Sequence, residues 1–222
     1  INYNLNLYDD TRAENPGVAI FASECCATGT TRGWYRDDAP KRGYLPAYDR
    51  IPDDWFCERE DTWKFLRARE WVMGGYQWIG IEHRGEALWP RVCSQSGAID
   101  LFLQKKDAFY QNLSHWAEYP VVHLLPHWNW KEGDTVRVMT ASNCEEVELF
   151  PNGESLGRKK SDCCAPAEWE VKFVPGKLSA VAYNQGMIVA RAETETTGAP
   201  ARVVIEPDRT YINDDGMDTV PF

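Results

Sequence analysis

From about Val122 onward the chain is built of short segments in which apolar and polar residues alternate, and this pattern limits the fold more than any other feature. The segments are HLLPHWNW, TVRVMT, EEVELF, WEVKFV, LSAVAY and MIVARAET, separated by Gly, Asn and Pro turns. A period of two sends successive side chains to opposite faces of a strand, so each segment can bury one face and wet the other. Strands of this length and spacing predict an immunoglobulin-like β-sandwich of about 70 residues, from Thr135 to Thr197. Asn152-Gly153 adds a tight hairpin signal between two of them.

The chain before Val122 has a different rhythm. Ile1 to Asn4 reads as a strand end, followed by a polar loop holding Tyr8, Asp9 and Asp10. Val18-Ala19-Ile20-Phe21 is a short apolar run ending in Ala22-Ser23-Glu24. Apolar residues on both faces fit a parallel strand covered on both sides, and such a strand delivers a carboxylate at its C-terminal end. Taken alone, a Glu in this place is most often an ordinary solvated strand end. Arg36 to Asp61 is rich in Pro, Asp and Arg without a sustained period, which predicts a long loop. Thr62 to Trp71 carries apolar residues at Trp63, Phe65, Leu66 and Trp71 and predicts a short amphipathic helix. Met73 to Glu82 reads as a further strand, and Lys105 to Trp116 as a helix with Phe109, Leu113 and Trp116 on one face. The fold class is therefore α/β followed by all-β.

Composition excludes several functions. The 222 residues are 43% hydrophobic and 26% charged, a globular balance, and no run of about 18 apolar residues offers a membrane span. A formal net charge of -10 argues against a nucleic-acid partner, which needs a basic face to neutralise phosphate. Seven cysteines, an odd number with two vicinal pairs and no CxxC, argue against a zinc site or a disulfide scaffold and for free or partly buried thiols. No His/Asp/Glu spacing marks a metal centre, and Asp214-Asp215-Gly216 lacks the ligand spacing of a calcium loop and reads as a turn.

Four blocks carry a resemblance. Ser23-Glu24 with Thr31-Arg32-Gly33 and Tyr35, then GGYQWIGIEHRGE, then HLLPHWNW, then SNCEEVELFPNGESLG stand in the order found in the C-terminal half of glycoside hydrolase family 2. The chain resembles that family from Asn2 to about Asp215, and its bacterial β-galactosidase-like members most of all. The resemblance implies the C-terminal portion of a (β/α)8 TIM barrel, about three strands, over residues 1–133 with a linker. An immunoglobulin-like sandwich at 134–198 and the truncated start of a further β-sandwich domain at 199–222 follow.

It also implies roles. Glu24 matches the nucleophile of a retaining glycosidase, and Asn2 and Tyr3 match an Asn-Tyr pair beside it. A tyrosine hydroxyl donating to a carboxylate stabilises its charged form and holds its orientation. Trp78 matches the tryptophan floor on which the sugar rests, where an indole face excludes water and leaves the hydroxyls free. Glu82 and His83 stand where the family usually has Asp-Tyr, which makes Glu82 a further substrate-binding candidate; His83 reads as a rim hydrogen-bonding group, with a general base as the alternative. The family's acid/base lies in an Asn-Glu pair on strand four, and no such dipeptide occurs in this chain. No cofactor and no metal are implied.

The expectation is thus half of a catalytic pair. A chain beginning at Ile1, with three of eight barrel strands, reads as a fragment whose partners are a carbohydrate substrate and the missing N-terminal portion of the same enzyme. Alone it is expected to be inactive. Glucuronidases of the family carry an Asn and a Lys just before the Gly that corresponds to Gly97, and here Ser94 and Ser96 stand in those places. Neutral hydroxyls cannot grip a sugar carboxylate, which points to a neutral sugar, a terminal β-galactoside by overall likeness. β-Mannosides and β-glucuronides are the alternative substrates, and a non-catalytic structural or carbohydrate-binding module is the alternative function. The sequence leaves location open, and the resemblance leans toward a periplasmic or extracellular one.

Overall fold

The computed structural model describes residues 1–36, 38, 43–49, 58–164 and 166–220. Half of the expected loop from Arg36 to Asp61, with Cys57 in it, lies outside the described residues.

The N-terminal part is built on a parallel pair. Strand β1 (Ile20–Cys25) lies beside β2 (Val72–Gln77), with Ile20 opposite Val72 and Cys25 opposite Gln77. On the other side of β1, Asn2 makes a single parallel bridge to Glu24, and further along the chain Ile81 bridges Ile99 in parallel. A parallel pair needs a crossover, and helix α2 (Arg59–Arg67) supplies it between β1 and β2. Helix α1 (Tyr8–Glu14) precedes β1. Tyr8, Trp63 and Leu66 from the helices pack on Ile20, Ala22 and Cys25 to form the core of this part. Of the three barrel strands expected, two are strands of six residues and the third is the one bridge at Asn2.

Three local readings change. The segment at Tyr8, Asp9 and Asp10, expected as a polar loop, is the start of α1. Seven residues are too few to show a helical period, but Asp9 and Asp10 in the first turn suit the positive end of the helix dipole. Helix α2 begins three residues before Thr62, where Arg59 is wholly buried and its Nη1 meets the Asp49 carboxylate at 2.8 Å. The strand expected from Met73 to Glu82 stops at Gln77, because Trp78 N–H turns to Cys25 O at 2.7 Å and Ile79 N–H to Ser96 O at 3.2 Å.

Helix α3 (Asp107–Trp116) leads into seven antiparallel strands: β3 (Val122–Leu125), β4 (Thr135–Ser142), β5 (Glu146–Pro151), β6 (Arg158–Lys160), β7 (Ala167–Lys172), β8 (Lys177–Asn184) and β9 (Met187–Glu195). They form two sheets, of order β3-β4-β7 and β6-β5-β8-β9. Val136, Val138, Trp169 and Val171 of the first face Val147, Leu149, Leu178 and Ala180 of the second across one core, around Trp128, which is wholly buried. Trp128 satisfies its indole N–H on Val174 O at 3.2 Å. Because β3 pairs with β4, the sheet crosses residue 134, the boundary drawn from sequence.

At Asn152-Gly153 both residues have positive φ, 48° and 86°, as the hairpin signal requires. The connection from β5 to β6 nevertheless runs from Asn152 to Gly157, because Asn152 is drawn aside to hydrogen-bond Pro175 O and Lys177 N–H. Beyond Glu195 the described residues form no strand: Val203 is exposed, and a single strand without a sheet has nothing to pair with. Asp215 Oδ1 accepts Met217 and Asp218 N–H groups, which closes the expected turn.

The two parts meet across β4. Its outward Met139 packs with Leu125 and Tyr48, and the Tyr48 hydroxyl donates to Arg137 O at 2.6 Å. Tyr35 adds its ring beside Tyr48, and its hydroxyl donates to Asp107 at the start of α3 at 2.7 Å.

Candidate active site

The C-terminal ends of β1 and β2 and the start of the chain converge on Glu24. Asn2 lies alongside it through the parallel bridge, and Tyr3 N–H donates to Glu24 O at 3.0 Å. Tyr3 adopts φ 55°, a left-handed conformation uncommon for a non-glycine residue. Burial, the Glu24 charge and a hydrogen bond with the Glu24 carboxylate all push the Tyr3 phenol well above its ordinary range, so it stays a neutral donor. Side chain and backbone of Tyr3 therefore both engage Glu24, while the Asn2 side chain is exposed.

Trp78 follows β2 at the same end, tied through its N–H to the residue after Glu24. Its half-buried indole donates to Glu86 Oε2 at 3.1 Å and meets His83 edge-on, with ring centres 5.7 Å apart. The Glu86 charge also reaches Tyr3. Glu86 is thus a fourth member of the group, not singled out from sequence; its place in the polar run after β2 was the only signal.

Glu82, expected beside the sugar, is turned inward instead. Its Oε1 accepts the Lys106 ammonium at 2.6 Å and its Oε2 accepts the Cys93 thiol at 3.4 Å, with both Glu82 and Lys106 buried. Lys106 also donates to Thr30 O and Gln95 O, so all three of its protons are used. Burial draws the Lys106 ammonium below its ordinary range, and the Glu82 carboxylate works against that fall. A carboxylate with both oxygens committed to internal partners holds the loop rather than a ligand. The loop passes so close to Gly97 that a Cβ there would stand 2.3 Å from Glu82 N.

Ser94 and Ser96 are buried on the same loop, where Ser94 Oγ accepts His83 N–H at 3.4 Å and Ser96 Oγ donates to Ser94 O at 3.5 Å. Arg32, in the block after Glu24, is paired with Asp100 at 2.6 Å. A separate cavity of about 620 Å³ opens along the edge of β2, lined by Phe21, Trp63, Leu66, Met73, Tyr76 and Trp116 among others. Tyr3, Glu24 and Trp78 are not part of its wall.

Comparisons with known proteins bear on this arrangement. Residues 133–190 match a family described as a domain of unknown function, DUF4982. The chain is 32% identical to beta-galactosidase BoGH2A of Bacteroides ovatus, over 98% of this chain and 28% of that protein. It is 36% identical to a putative beta-glucuronidase of Formosa agariphila, over 64% of this chain and 15% of that protein. Among solved structures, a glycosyl hydrolase family 2 member from Bacteroides cellulosilyticus superposes with a TM-score of 0.76 at 28% identity, covering 99% of this chain and 30% of that one. The chain therefore spans less than a third of the length of these relatives.

Proposed function

Because the chain belongs to glycoside hydrolase family 2, we propose that it supplies the nucleophile side of a retaining exo-β-glycosidase site, completed by a portion of the protein outside this chain. Glu24 is the nucleophile in this reading. Its carboxylate attacks the anomeric carbon as the glycosidic bond breaks, an acid from the missing portion protonates the leaving oxygen, and water then releases the sugar from the covalent glycosyl-enzyme. Tyr3 orients Glu24 from one side, and Trp78, steadied by Glu86, offers the sugar an apolar floor. Asn2 lies at the rim of the same group. The parallel segments at Asn2, β1 and β2 are read as the last strands of a TIM barrel, whose carboxyl-terminal ends carry the chemistry.

The observation that carries this reading is the Tyr3 hydroxyl engaged on the Glu24 carboxylate, at the end of a strand beside Trp78. The substrate proposed is a terminal β-galactoside. Ser94 and Ser96 bring no cation, and the nearby cations Lys106 and Arg32 already hold Glu82 and Asp100, so neither of the two is free to pair with a uronate carboxylate. The relatives bear both β-galactosidase and β-glucuronidase names, which makes glucuronide the reading to be tested against.

The test is complementation. The chain is mixed with a separately produced N-terminal portion and assayed on matched nitrophenyl galactoside, mannoside, glucoside and glucuronide. Activity on the galactoside that is lost in Glu24→Gln supports the proposal. Preference for the glucuronide would overturn the charge argument. The chain alone should be inactive, since an absent general acid costs about 10²- to 10⁴-fold and the missing wall removes binding as well. Hydrolysis of an unactivated disaccharide by the chain alone would show that the site is complete without a partner.

A further inference from the structure

Among the described residues, one group outside the candidate active site brings three soft ligands together: His115, Cys163 and Cys164. His115 is in the last turn of α3 and the cysteines follow β6, so the group spans the junction between the closing helix and the sandwich. The two sulfurs are 3.8 Å apart, and Cys164 Sγ is 3.9 Å from His115 Nδ1. All three ligand atoms lie within 4.8 Å of one another, and all three residues are half-buried.

These spacings resemble a coordination shell more than a packing contact. With metal–sulfur bonds of about 2.3 Å and a metal–nitrogen bond of about 2.0 Å, tetrahedral angles put two sulfurs about 3.8 Å apart and a sulfur about 3.5 Å from an imidazole nitrogen. The sulfur pair already has the first spacing, and Cys164 with His115 is a few tenths of an ångström from the second. Neither cysteine is tied into a disulfide, so both are free to close on a common centre. Arg67 Nη1 donates to Cys163 Sγ, an outer contact of the kind that offsets the charge of ligating thiolates. Two sulfurs and one imidazole select a soft or borderline ion over magnesium or calcium, which take oxygen ligands.

We propose that His115, Cys163 and Cys164 bind a transition-metal ion, with zinc as the ion of choice and solvent in the fourth position. The ion ties α3 to the connection between β6 and β7. The cysteine count and spacing argued against such a site, because the histidine stands 49 positions from Cys164 and is brought near only by the packing of α3 on the sandwich.

The full protein carrying this chain, kept reduced and stripped of metal by a chelator, is titrated with Co²⁺ and then Zn²⁺. The proposal expects one Co²⁺ per chain with a thiolate-to-cobalt charge-transfer band, displacement of the band by Zn²⁺, and a Tm raised by Zn²⁺. Cys163→Ser, Cys164→Ser and His115→Gln should each weaken Co²⁺ binding at least tenfold, while Cys144→Ser, buried in the sandwich core, keeps the band. Absence of the band in the wild-type protein at excess Co²⁺ overturns the proposal without recourse to any variant. A band that survives in all three variants overturns it too, as does a Cys163–Cys164 disulfide that persists under reductant and prevents binding.

Discussion

At the scale of single residues, the region around Glu24 separates groups that engage the proposed nucleophile from groups that hold the frame. The hydroxyl of Tyr3 does the first by holding the Glu24 carboxylate, and its loss leaves the carboxylate without a charge-assisted hydrogen bond worth about 1.5–3 kcal/mol. Tyr3→Phe is therefore expected to lower kcat of the reconstituted enzyme by roughly 10- to 150-fold with little change in KM, measured on the nitrophenyl galactoside. An unchanged kcat would remove Tyr3 from the proposed site. Glu82 and Lys106 do the second. Lys106→Met strands a buried carboxylate, and urea unfolding should show a loss of about 3–5 kcal/mol. A smaller loss is expected when Glu82→Gln is added, because the stranded charge is then gone.

At the scale of elements, the segment from Ile99 to Lys105 is a tight loop closed by an antiparallel bridge between its two ends. Asp100 is its anchor: the carboxylate accepts Phe102 and Gln104 N–H groups, each at 2.9 Å, and the Arg32 guanidinium at 2.6 Å. Burial alone would raise the Asp100 carboxyl, but the Arg32 hydrogen bond and the two backbone donors outweigh it and hold it below the usual range. A carboxyl lowered on folding contributes stability that is complete above its unfolded value, about 3.9, and is lost as pH falls below that toward the folded value. Asp100→Asn should therefore cost about 1–2 kcal/mol at pH 7, and the gap from the wild type should narrow between pH 4 and pH 3. Urea midpoints at the two ends of that window decide it, since a gap constant across the window would mean that Asp100 does not titrate with folding.

At the scale of the whole molecule, the chain has one finished half and one open half. The sandwich closes over Trp128 with apolar residues from both sheets. The parallel pair does not: Phe21, Met73 and Tyr76 on one face are 45%, 72% and 69% exposed, beside the cavity at the edge of β2. An apolar face next to a strand edge that no other described strand pairs is the usual mark of a surface meant to be covered. The isolated chain is expected to bind the dye ANS strongly and to self-associate, and addition of the N-terminal portion should suppress both. Weak dye binding by a monomeric chain would show that this face needs no cover.

Several of these features were legible in the sequence for local reasons. Alternation after Val122 specified the strands, because a period of two is a property of the strand itself and each segment carries it unaided. The apolar run before Glu24 likewise announced a strand with a carboxylate at its end, but not its cover: β1 begins at Ile20 and buries one face only, with Phe21 left 45% exposed. What could not be read locally is what depends on contacts between distant segments. Helix α1 is held by Tyr8 packing under Phe65 rather than by a visible period, so it looked like a loop. Glu82 looked like a rim carboxylate, and only the approach of Lys106, 24 positions later, turned it inward. His115, Cys163 and Cys164 carry no motif, and they became a group only when α3 packed against the sandwich. Periodicity is written residue by residue, whereas pairing of buried charges and convergence of ligands are decided by which surfaces the folded chain presses together.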